Sequence, residues 1–283
     1  MYVLGSLQQQ RTSCSLYVET KKERKITINK KFFIIGVLLV AISAVTFVNL
    51  FSRNSPEEVV IQKEFTNAEI ETNNADIILI PTKDQSARVE LENGRNKYKI
   101  DAQVNGNTLE IDMERKFFRW FSIQFFSKTP ILKVYLPESL AGTIQIESDN
   151  GTIKASGFET KEIIAETDNG EVILDNLKVQ TLYVDSSNGE LLLENIEGKI
   201  VGETSNGDIS VRTAALKQPI ELETNNGTIY VQTENEPKDA FFDVKTGNGE
   251  VIIFGKRNPT TESGNSQTTI KLTSNNGDII VEK

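Results

Sequence analysis

Carboxylates recur through the second half of the chain, each three residues before an Asn-Gly pair, and they are the side chains best able to do chemistry. The column comprises Glu147, Glu166, Asp185, Glu203 and Glu223, in steps of 18 to 20 residues. Stacked strands would place neighbouring carboxylates ~4.8 Å apart. Such a column could bind a divalent cation, supply the acid–base pair of a glycosidase, or form a solvated acidic face.

The solvated face is the favoured interpretation of this column. Repulsion between neighbouring carboxylates costs roughly 1 kcal/mol per pair in water, and salt reduces it. A glycosidase needs two carboxylates in different environments, and nothing in the pattern makes two members of the column differ. Weak binding of a divalent cation stays open as an alternative, but we predict no metal site and no cofactor.

The rest of the composition removes most enzyme classes. The chain has no histidine, which excludes His-based triads and the usual zinc sites. Its single cysteine, Cys14, leaves no disulfide. The glycine motifs that bind phosphates or dinucleotides are missing from the sequence, and so are calcium-binding nonapeptide repeats. We therefore predict a protein that is not an enzyme.

The Asn-Gly pairs that follow the carboxylates define a repeat. They are separated by 19, 19, 18, 20, 22 and 28 residues, and such a period is typical of a repeat architecture. We predict that the pairs form structural turns. They are Asn150-Gly151, Asn169-Gly170, Asn188-Gly189, Asn206-Gly207, Asn226-Gly227, Asn248-Gly249 and Asn276-Gly277.

Apolar residues flank each turn at fixed positions. With few exceptions they occur six and four residues before the asparagine and three and five residues after it, while a serine or threonine always stands two residues before it. Apolar side chains two apart indicate a strand with one buried face on each side of the turn. A further position, eight residues after the asparagine, predicts a third inward corner. That corner would hold Phe158, Leu177, Ile196 and Ala214.

Two folds satisfy this pattern. Asn-Gly between alternating strands is a strong hairpin signal. The alternative, which we favour, is a β-solenoid, in which each repeat is one coil and equal positions stack as parallel strands. A lone coil cannot bury enough apolar surface to offset the cost of ordering its backbone, so each coil needs its neighbours. We predict an all-β solenoid in which glycine supplies a positive φ at the corner and stacked asparagines form an amide ladder.

A basic tail and an uncharged apolar stretch precede the repeats. Residues 1–31 carry seven basic residues against two acidic ones, and residues 32–51 carry no charge. A helix of that length spans ~30 Å, the thickness of a bilayer core. A cleaved signal peptide is the rival interpretation, but its apolar core would be shorter. We predict a cytoplasmic tail at 1–31, a single transmembrane helix at 32–51 and an extracytoplasmic C-terminal domain, since basic residues favour the cytoplasmic side.

The predicted outer domain is acidic. Removing the eight basic and two acidic residues of positions 1–53 from the totals of 31 and 40 leaves 23 basic and 38 acidic residues, a net charge of −15. This charge argues against nucleic acid as a partner. We predict an irregular β capping region at 54–140 and regular solenoid repeats at 141–283. The capping region contains a hairpin turn at Asn105-Gly106 and a degenerate repeat with Ala75 in the glycine position.

An aromatic cluster interrupts the capping region. Residues 117–126 hold six aromatic residues together with one arginine. These side chains could pack inside the cap, or they could contact lipid headgroups close to the predicted membrane span. The candidate membrane contacts are Phe117, Phe118, Arg119, Trp120, Phe121, Phe125 and Phe126.

The sequence stops two residues after Val281, the last inward position of the repeat. An uncovered solenoid end exposes its core and a row of unpaired backbone groups. We therefore predict that an insertion folds over the C-terminal end, or that this end meets an envelope protein or a second copy of the chain.

The repeated E-[ST]-x-N-G-[DET]-[IVL] pattern behind one N-terminal apolar span resembles the bacterial β-strand-repeat "putative adhesin" family, and within it the LiaG-type membrane proteins of cell-envelope stress operons. The resemblance covers residues 54–283 and the layout of the anchor. It implies a right-handed β-helix and a role at the cell surface in envelope stress or adhesion. It implies no catalytic residues.

Together these observations favour a non-enzymatic, membrane-anchored β-solenoid that acts by contact as a structural or regulatory element of the cell envelope. Two alternatives stay open: a surface adhesin that binds an external ligand, and a carbohydrate-active β-helix enzyme. A groove lined by unlike carboxylates and exposed aromatic residues would favour the enzyme. A smooth stack with one adhesive end would favour the contact module.

Overall fold

Short strands on either side of each Asn-Gly turn build the architecture seen in the computed structural model. The structure describes residues 57–94, 97–115, 128–258 and 268–283. The predicted tail, transmembrane helix and aromatic segment lie outside these ranges. Within them the secondary structure is all β, and no helix is found that is long and apolar enough to cross a membrane.

Twenty strands occupy the described ranges, and along most of them buried and outward residues alternate. The strands are β1 (Glu57–Ile61), β2 (Asn67–Thr72), β3 (Asp76–Thr82), β4 (Ala87–Glu92), β5 (Tyr98–Asn105), β6 (Thr108–Arg115), β7 (Ile131–Pro137), β8 (Ser139–Asn150), β9 (Ile153–Ser156), β10 (Glu159–Asn169), β11 (Val172–Asn188), β12 (Leu191–Asn206), β13 (Ile209–Thr213), β14 (Ile220–Asn226), β15 (Ile229–Thr233), β16 (Ala240–Asn248), β17 (Val251–Ile253), β18 (Lys256–Arg257), β19 (Thr268–Asn276) and β20 (Ile279–Glu282).

The repeats stack as parallel coils. Strands that run into the turn pair with one another in what we call the leading ladder, and strands that leave the turn pair in the trailing ladder. In the leading ladder Ile163 lies between Ile144 and Leu182, and in the trailing ladder Val172 lies between Ile153 and Leu191. Equal positions of neighbouring coils are therefore in register. This parallel pairing confirms the solenoid and contradicts the hairpin interpretation of the repeats.

The predicted apolar columns form the core. Phe158, Leu177 and Ile196 are buried at the third corner, as predicted. The prediction for Ala214 is wrong: Ala214 is exposed, and Leu216 is buried instead. The reason is a longer corner, because β13 ends at Thr213 and the chain does not resume a strand until β14.

At the N-terminal end the coils are not stacked in chain order. The coil of β2 and β3 lies between the coil of β8 and β9 and the coil of β6 and β7. Three antiparallel strands extend this end. β5 pairs with β6 through the hairpin turn predicted at Asn105-Gly106, while β4 and β1 extend the trailing ladder beyond β7. The described part of residues 54–140 therefore contains two coils as well as antiparallel end strands.

The C-terminal end is also stacked out of chain order. β19 and β20, the last strands in the sequence, lie between the coil of β14 and β15 and the coil of β16 and β17. The terminal coil in space is therefore that of β16 and β17. Its trailing strand β17 is covered by antiparallel β18, whereas β16 pairs with β19 on one edge and with no described strand on the other.

Candidate functional site: the turn face of the solenoid

The glycine of each turn lies directly against the backbone of the neighbouring coil. A Cβ on Gly207 would stand 2.6 Å from the carbonyl carbon of Gly189 and closer still to the carbonyl oxygen. The same 2.6 Å separation recurs at all seven turn glycines. Gly207 does not have a positive φ, so the predicted reason for glycine is wrong at this position. The close approach of stacked turns requires the missing side chain.

The hydroxyl two residues before each asparagine bonds to the carbonyl group of the turn stacked beside it. Thr204 Oγ1 donates to the Gly189 carbonyl oxygen at 3.1 Å, and Thr224 Oγ1 donates to that of Gly207 at 3.0 Å. The column of hydroxyls is visible in the sequence, but its partner is not. Equivalent bonds of 2.8–3.3 Å are made by Ser148, Thr167, Ser186, Thr246 and Ser274.

Thr72 is the exception in this column. It holds the equivalent position in the degenerate coil and is buried, yet its Oγ1 has no hydrogen-bond partner among the described residues. In the coil beyond it, β6 ends at Arg115 and β7 begins at Ile131, so residues 116–130 replace the two-residue turn. In the regular coils the carbonyl group of a turn glycine accepts this hydroxyl. The repeat pattern of that coil has no such glycine, so it offers Thr72 no equivalent acceptor.

The turn asparagines form the predicted amide ladder. Asn206 Nδ2 donates to Asn188 Oδ1 at 2.9 Å, and Asn226 Nδ2 donates to Asn206 Oδ1 at 2.9 Å. Each amide therefore bonds the coils on both sides of it, which stiffens the turn face. In stacking order the ladder runs through Asn74, Asn150, Asn169, Asn188, Asn206, Asn226, Asn276 and Asn248.

The carboxylate column lies on the outward face of the leading ladder. Asp185 is in register with Glu166 on one side and Glu203 on the other. The column also includes Glu71 and Asp112, which sequence reasoning missed, because β2 aligns Glu71 with both Asp112 and Glu147. Glu71 stands three residues before Asn74, so extending the alignment to the degenerate repeat would have found it.

Partial burial and repulsion within the column raise the pKa of two of its central members, Glu166 and Glu203. Partial burial raises the pKa of Glu166, and the charges of Glu147 and Asp185 raise it further. Burial also raises the pKa of Glu203, with added repulsion from Asp185 and Glu223. Glu166 and Glu203 thus share the same two causes of a raised pKa, burial first and then repulsion from their in-register neighbours. In the part of the chain that the structure describes, no group of three or more His, Cys, Asp or Glu residues is placed to hold a metal ion.

A groove of about 1040 Å³ runs along the third corner, on the side away from the turns. Its charged lining alternates between lysine and glutamate, with Lys161, Lys178 and Lys217 near Glu159 and Glu197. None of the described residues that line it is aromatic. The groove therefore offers mixed charge but no ring on which a sugar could stack.

The predicted membrane-contact residues, 117–126, lie outside the described residues. The chain leaves β6 and returns to β7, which together form the outermost parallel coil at the N-terminal end. β1, the first described strand after the predicted membrane span, belongs to the same end. In the described ranges the exposed large apolar side chains are Val60 and Tyr183, at 54% and 39% exposure, and they are far apart in the stack.

This chain is a β-solenoid-like repeat protein. Its coils are stacked through the turn glycines, the buried hydroxyls and the amide ladder. The chain belongs to the Toastrack DUF4097 family, which it matches over residues 65–202 and again over residues 170–282. A comparison with curated proteins gives no match.

Several solved structures are similar to this chain at low sequence identity. One, described as a "putative adhesin" from Bacteroides fragilis NCTC 9343, is 12% identical, with 81% of this chain and 98% of that chain covered and a TM-score of 0.46. A "putative cell adhesion protein" from Clostridium sporogenes ATCC 15579 is 16% identical, with 80% and 99% covered and a TM-score of 0.34. A "putative lipid binding protein" from Parabacteroides distasonis ATCC 8503 is 13% identical, with 80% and 97% covered and a TM-score of 0.36.

Proposed function

We propose that this chain is a single-pass membrane protein whose extracytoplasmic β-solenoid acts by contact, as a structural or regulatory element of the cell envelope. The proposal rests on the hydrogen bonds that the repeated polar groups make between coils. The hydroxyls and amides of the turns bond to the neighbouring coils, as Thr204 does to Gly189 and Asn206 does to Asn188. The repeat therefore builds a stiff stack with alike carboxylates outside, which suits a contact module better than a catalytic centre.

The anchor at 32–51 and the cytoplasmic tail at 1–31 are part of this proposal. The uncharged run and the basic tail support them. The geometry is compatible, because β1 belongs to the N-terminal end of the stack, and so do β6 and β7, the strands that flank the aromatic segment in the sequence. That end would face the membrane and the coil of β16 and β17 would face away. The resemblance to LiaG-type proteins supports a role in envelope stress and a right-handed winding.

Selective labelling of cysteine tests the orientation. Cys14 is the only cysteine, so it reports on the tail alone. In a Cys14→Ser background, Lys154→Cys reports on the solenoid, since Lys154 is exposed on β9. A membrane-impermeant maleimide added to intact, wall-stripped cells should label the Lys154→Cys variant and leave the natural chain unlabelled until the membrane is broken. The reverse pattern would overturn the orientation.

Crosslinking in intact cells, followed by mass spectrometry, tests the contact itself. Crosslinks from the solenoid to membrane or envelope proteins, or to another copy of the chain, are the expected result. Crosslinks confined to a ligand from outside the cell would instead establish a surface adhesin. The third alternative, a carbohydrate-active enzyme, predicts glycan cleavage by the purified chain that is lost on Glu166→Gln.

A further inference from the structure

The terminal leading strand, β16, differs from every other leading strand in the burial of its inward residues. Phe242 and Val244 are half-buried, whereas their in-register neighbours on β19, Ile270 and Leu272, are fully buried. Phe254 packs edge-on against Phe242, with ring centroids 6.1 Å apart, and still leaves Phe242 partly accessible. At this end of the stack, apolar side chains that point toward the core are therefore left partly exposed.

The backbone of β16 is also an open edge. Edge strands in natural sheets are usually short, charged or covered, because an uncovered edge can pair with another chain. The neighbouring β17 is protected by two charged residues of β18, Lys256 and Arg257. β16 has nine residues, no proline, and no partner on its outer side among the described strands. Asn248 continues the amide ladder by donating to Asn276, so its own Oδ1 is the last acceptor of the ladder.

We propose that β16 pairs antiparallel with β16 of a second copy of this chain, about a two-fold axis at Val244. The charges select this register. Asp243 and Lys245 lie on the same face of the strand, with Lys245 Nζ 3.1 Å from Asp243 Oδ1. The two-fold axis places Asp243 of each copy opposite Lys245 of the other, and opposite charges across antiparallel strands are stabilising.

The same register also covers the exposed core. Val244 meets Val244 of the second copy, and Phe242 lies opposite Thr246. The leading ladder then continues from one copy into the other. A foreign strand could use the same edge, but a second copy supplies the reciprocal charge match with its own Asp243 and Lys245.

This pairing determines how the two copies are oriented relative to each other. A two-fold axis at the β16 edge points the two N-terminal ends away from each other. If the proposed anchors hold, the two copies then belong to facing surfaces, so the solenoid ends would join one surface to another. Only this consequence rests on the proposed function, because the strand pairing itself needs no anchor.

Reciprocal charge reversal tests the register. The full chain, in detergent micelles that accommodate the apolar span, should have twice the chain mass by light scattering once the detergent contribution is subtracted. Asp243→Lys and Lys245→Asp should each lower the affinity roughly tenfold or more, because each variant places like charges opposite one another twice. An equimolar mixture of the two variants should dimerise again, since opposite charges now face each other at both positions.

Lys256→Asp is the matched control, because it makes the same charge change at the same end of the solenoid but on β18. It should leave the dimer intact, and circular dichroism should show that all variants are folded. A monomeric natural chain, a dimer that survives both single reversals, or a mixture that stays monomeric would overturn the proposal. If the chain dimerises only after residues 259–267 are shortened, that segment, and not a second copy, occupies the β16 edge of the natural chain, and the proposal is wrong. None of these results would alter the labelling test of orientation.

Discussion

The Cα of Gly207 lies against the carbonyl group of Gly189, at a distance that leaves no room for a side chain. A Cβ at Gly207 would be 2.6 Å from the Gly189 carbonyl carbon. The same carbonyl oxygen accepts the hydroxyl of Thr204 at 3.1 Å. One backbone group thus determines two positions of the next repeat, the glycine of the turn and the hydroxyl two residues before the asparagine.

Gly207→Ala should destabilise the solenoid by about 1–3 kcal/mol or more, because the clash is with backbone that cannot rotate away. The matched control is Gly202→Ala on β12, the strand that leads into this turn. Its Cβ would approach the ends of the Leu222 and Leu191 side chains, at 3.0 and 3.6 Å, and it would meet no backbone atom at those distances. We expect the control to cost less than about 1 kcal/mol. Denaturant melts that give equal losses for the two variants would show that the turns relax freely.

Thr204→Val should cost about 1–2 kcal/mol, because it keeps the shape of the buried side chain and removes its hydrogen bond to the Gly189 carbonyl group. Thr72→Val makes the same change where the hydroxyl is buried without a described partner. It should be neutral or stabilising, since the cost of burying an unpaired hydroxyl is removed. Thermal melts of the two variants test this difference. If Thr72→Val loses more stability than Thr204→Val, residues 116–130 supply an acceptor for the Thr72 hydroxyl.

The carboxylate column predicts higher stability at mildly acidic pH. Partial burial and neighbouring carboxylates raise the pKa of Glu166, Asp185 and Glu203 in the folded chain. Between the unfolded and the folded pKa the folded chain binds more protons, so the free energy of unfolding rises as pH falls through that window and decreases as pH rises.

Glu203→Gln tests this effect at one position. It should stabilise the chain at pH 7 by roughly 0.2–1 kcal/mol, because the group is largely exposed and water screens the repulsion. The gain should shrink as pH falls, and it should shrink as salt is added. Glu236→Gln, outside the column in an exposed loop, is the control and should change little. A gain from Glu203→Gln that grows as pH falls would contradict the assignment.

The membrane contact of the aromatic segment, residues 117–126, stays a prediction that Trp120 can test. Trp120 is the only tryptophan, so its fluorescence reports on this segment alone. Anionic liposomes added to a fragment of residues 54–283 should shift Trp120 emission to the blue, because the ring would move to the headgroup boundary. Arg119→Ala should weaken the shift. Emission that is already blue-shifted and protected from quenchers, and that liposomes do not change, would place the ring inside the protein instead.

The inward and outward positions of the coils were predictable from the sequence, because each buried column repeats the same alternation of apolar residues. The amide ladder followed from the same alignment. The misplaced corner at Ala214 shows where the alignment stops working: the corner before β14 is longer, and the inward position moves to Leu216. Counting residues from the turn fails once the corner length changes.

The order of stacking was not predictable. Every coil presents the same columns to both neighbours, so the pattern does not state which coil lies beside which. β19 fits against β14 as well as against β16, with Ile270 in register with both Ile220 and Phe242. The role of the glycines was hidden for a related reason, because a close approach between coils is a property of the stack and not of a single turn.

The position of β19 and β20 has a consequence for synthesis on the ribosome. β19 and β20 emerge from the ribosome after β16 and β17, yet they fill an interior place between β14 and β16. Until they are released, β14 keeps a free edge and the coil of β16 and β17 lacks its native neighbour. The solenoid therefore cannot be completed by winding from one end during translation, and the step that closes it must wait until β20 has left the ribosome. A nascent chain stalled after β17 would carry two further open edges, where β14 and β16 lack β19, and each could recruit a chaperone or a neighbouring nascent chain.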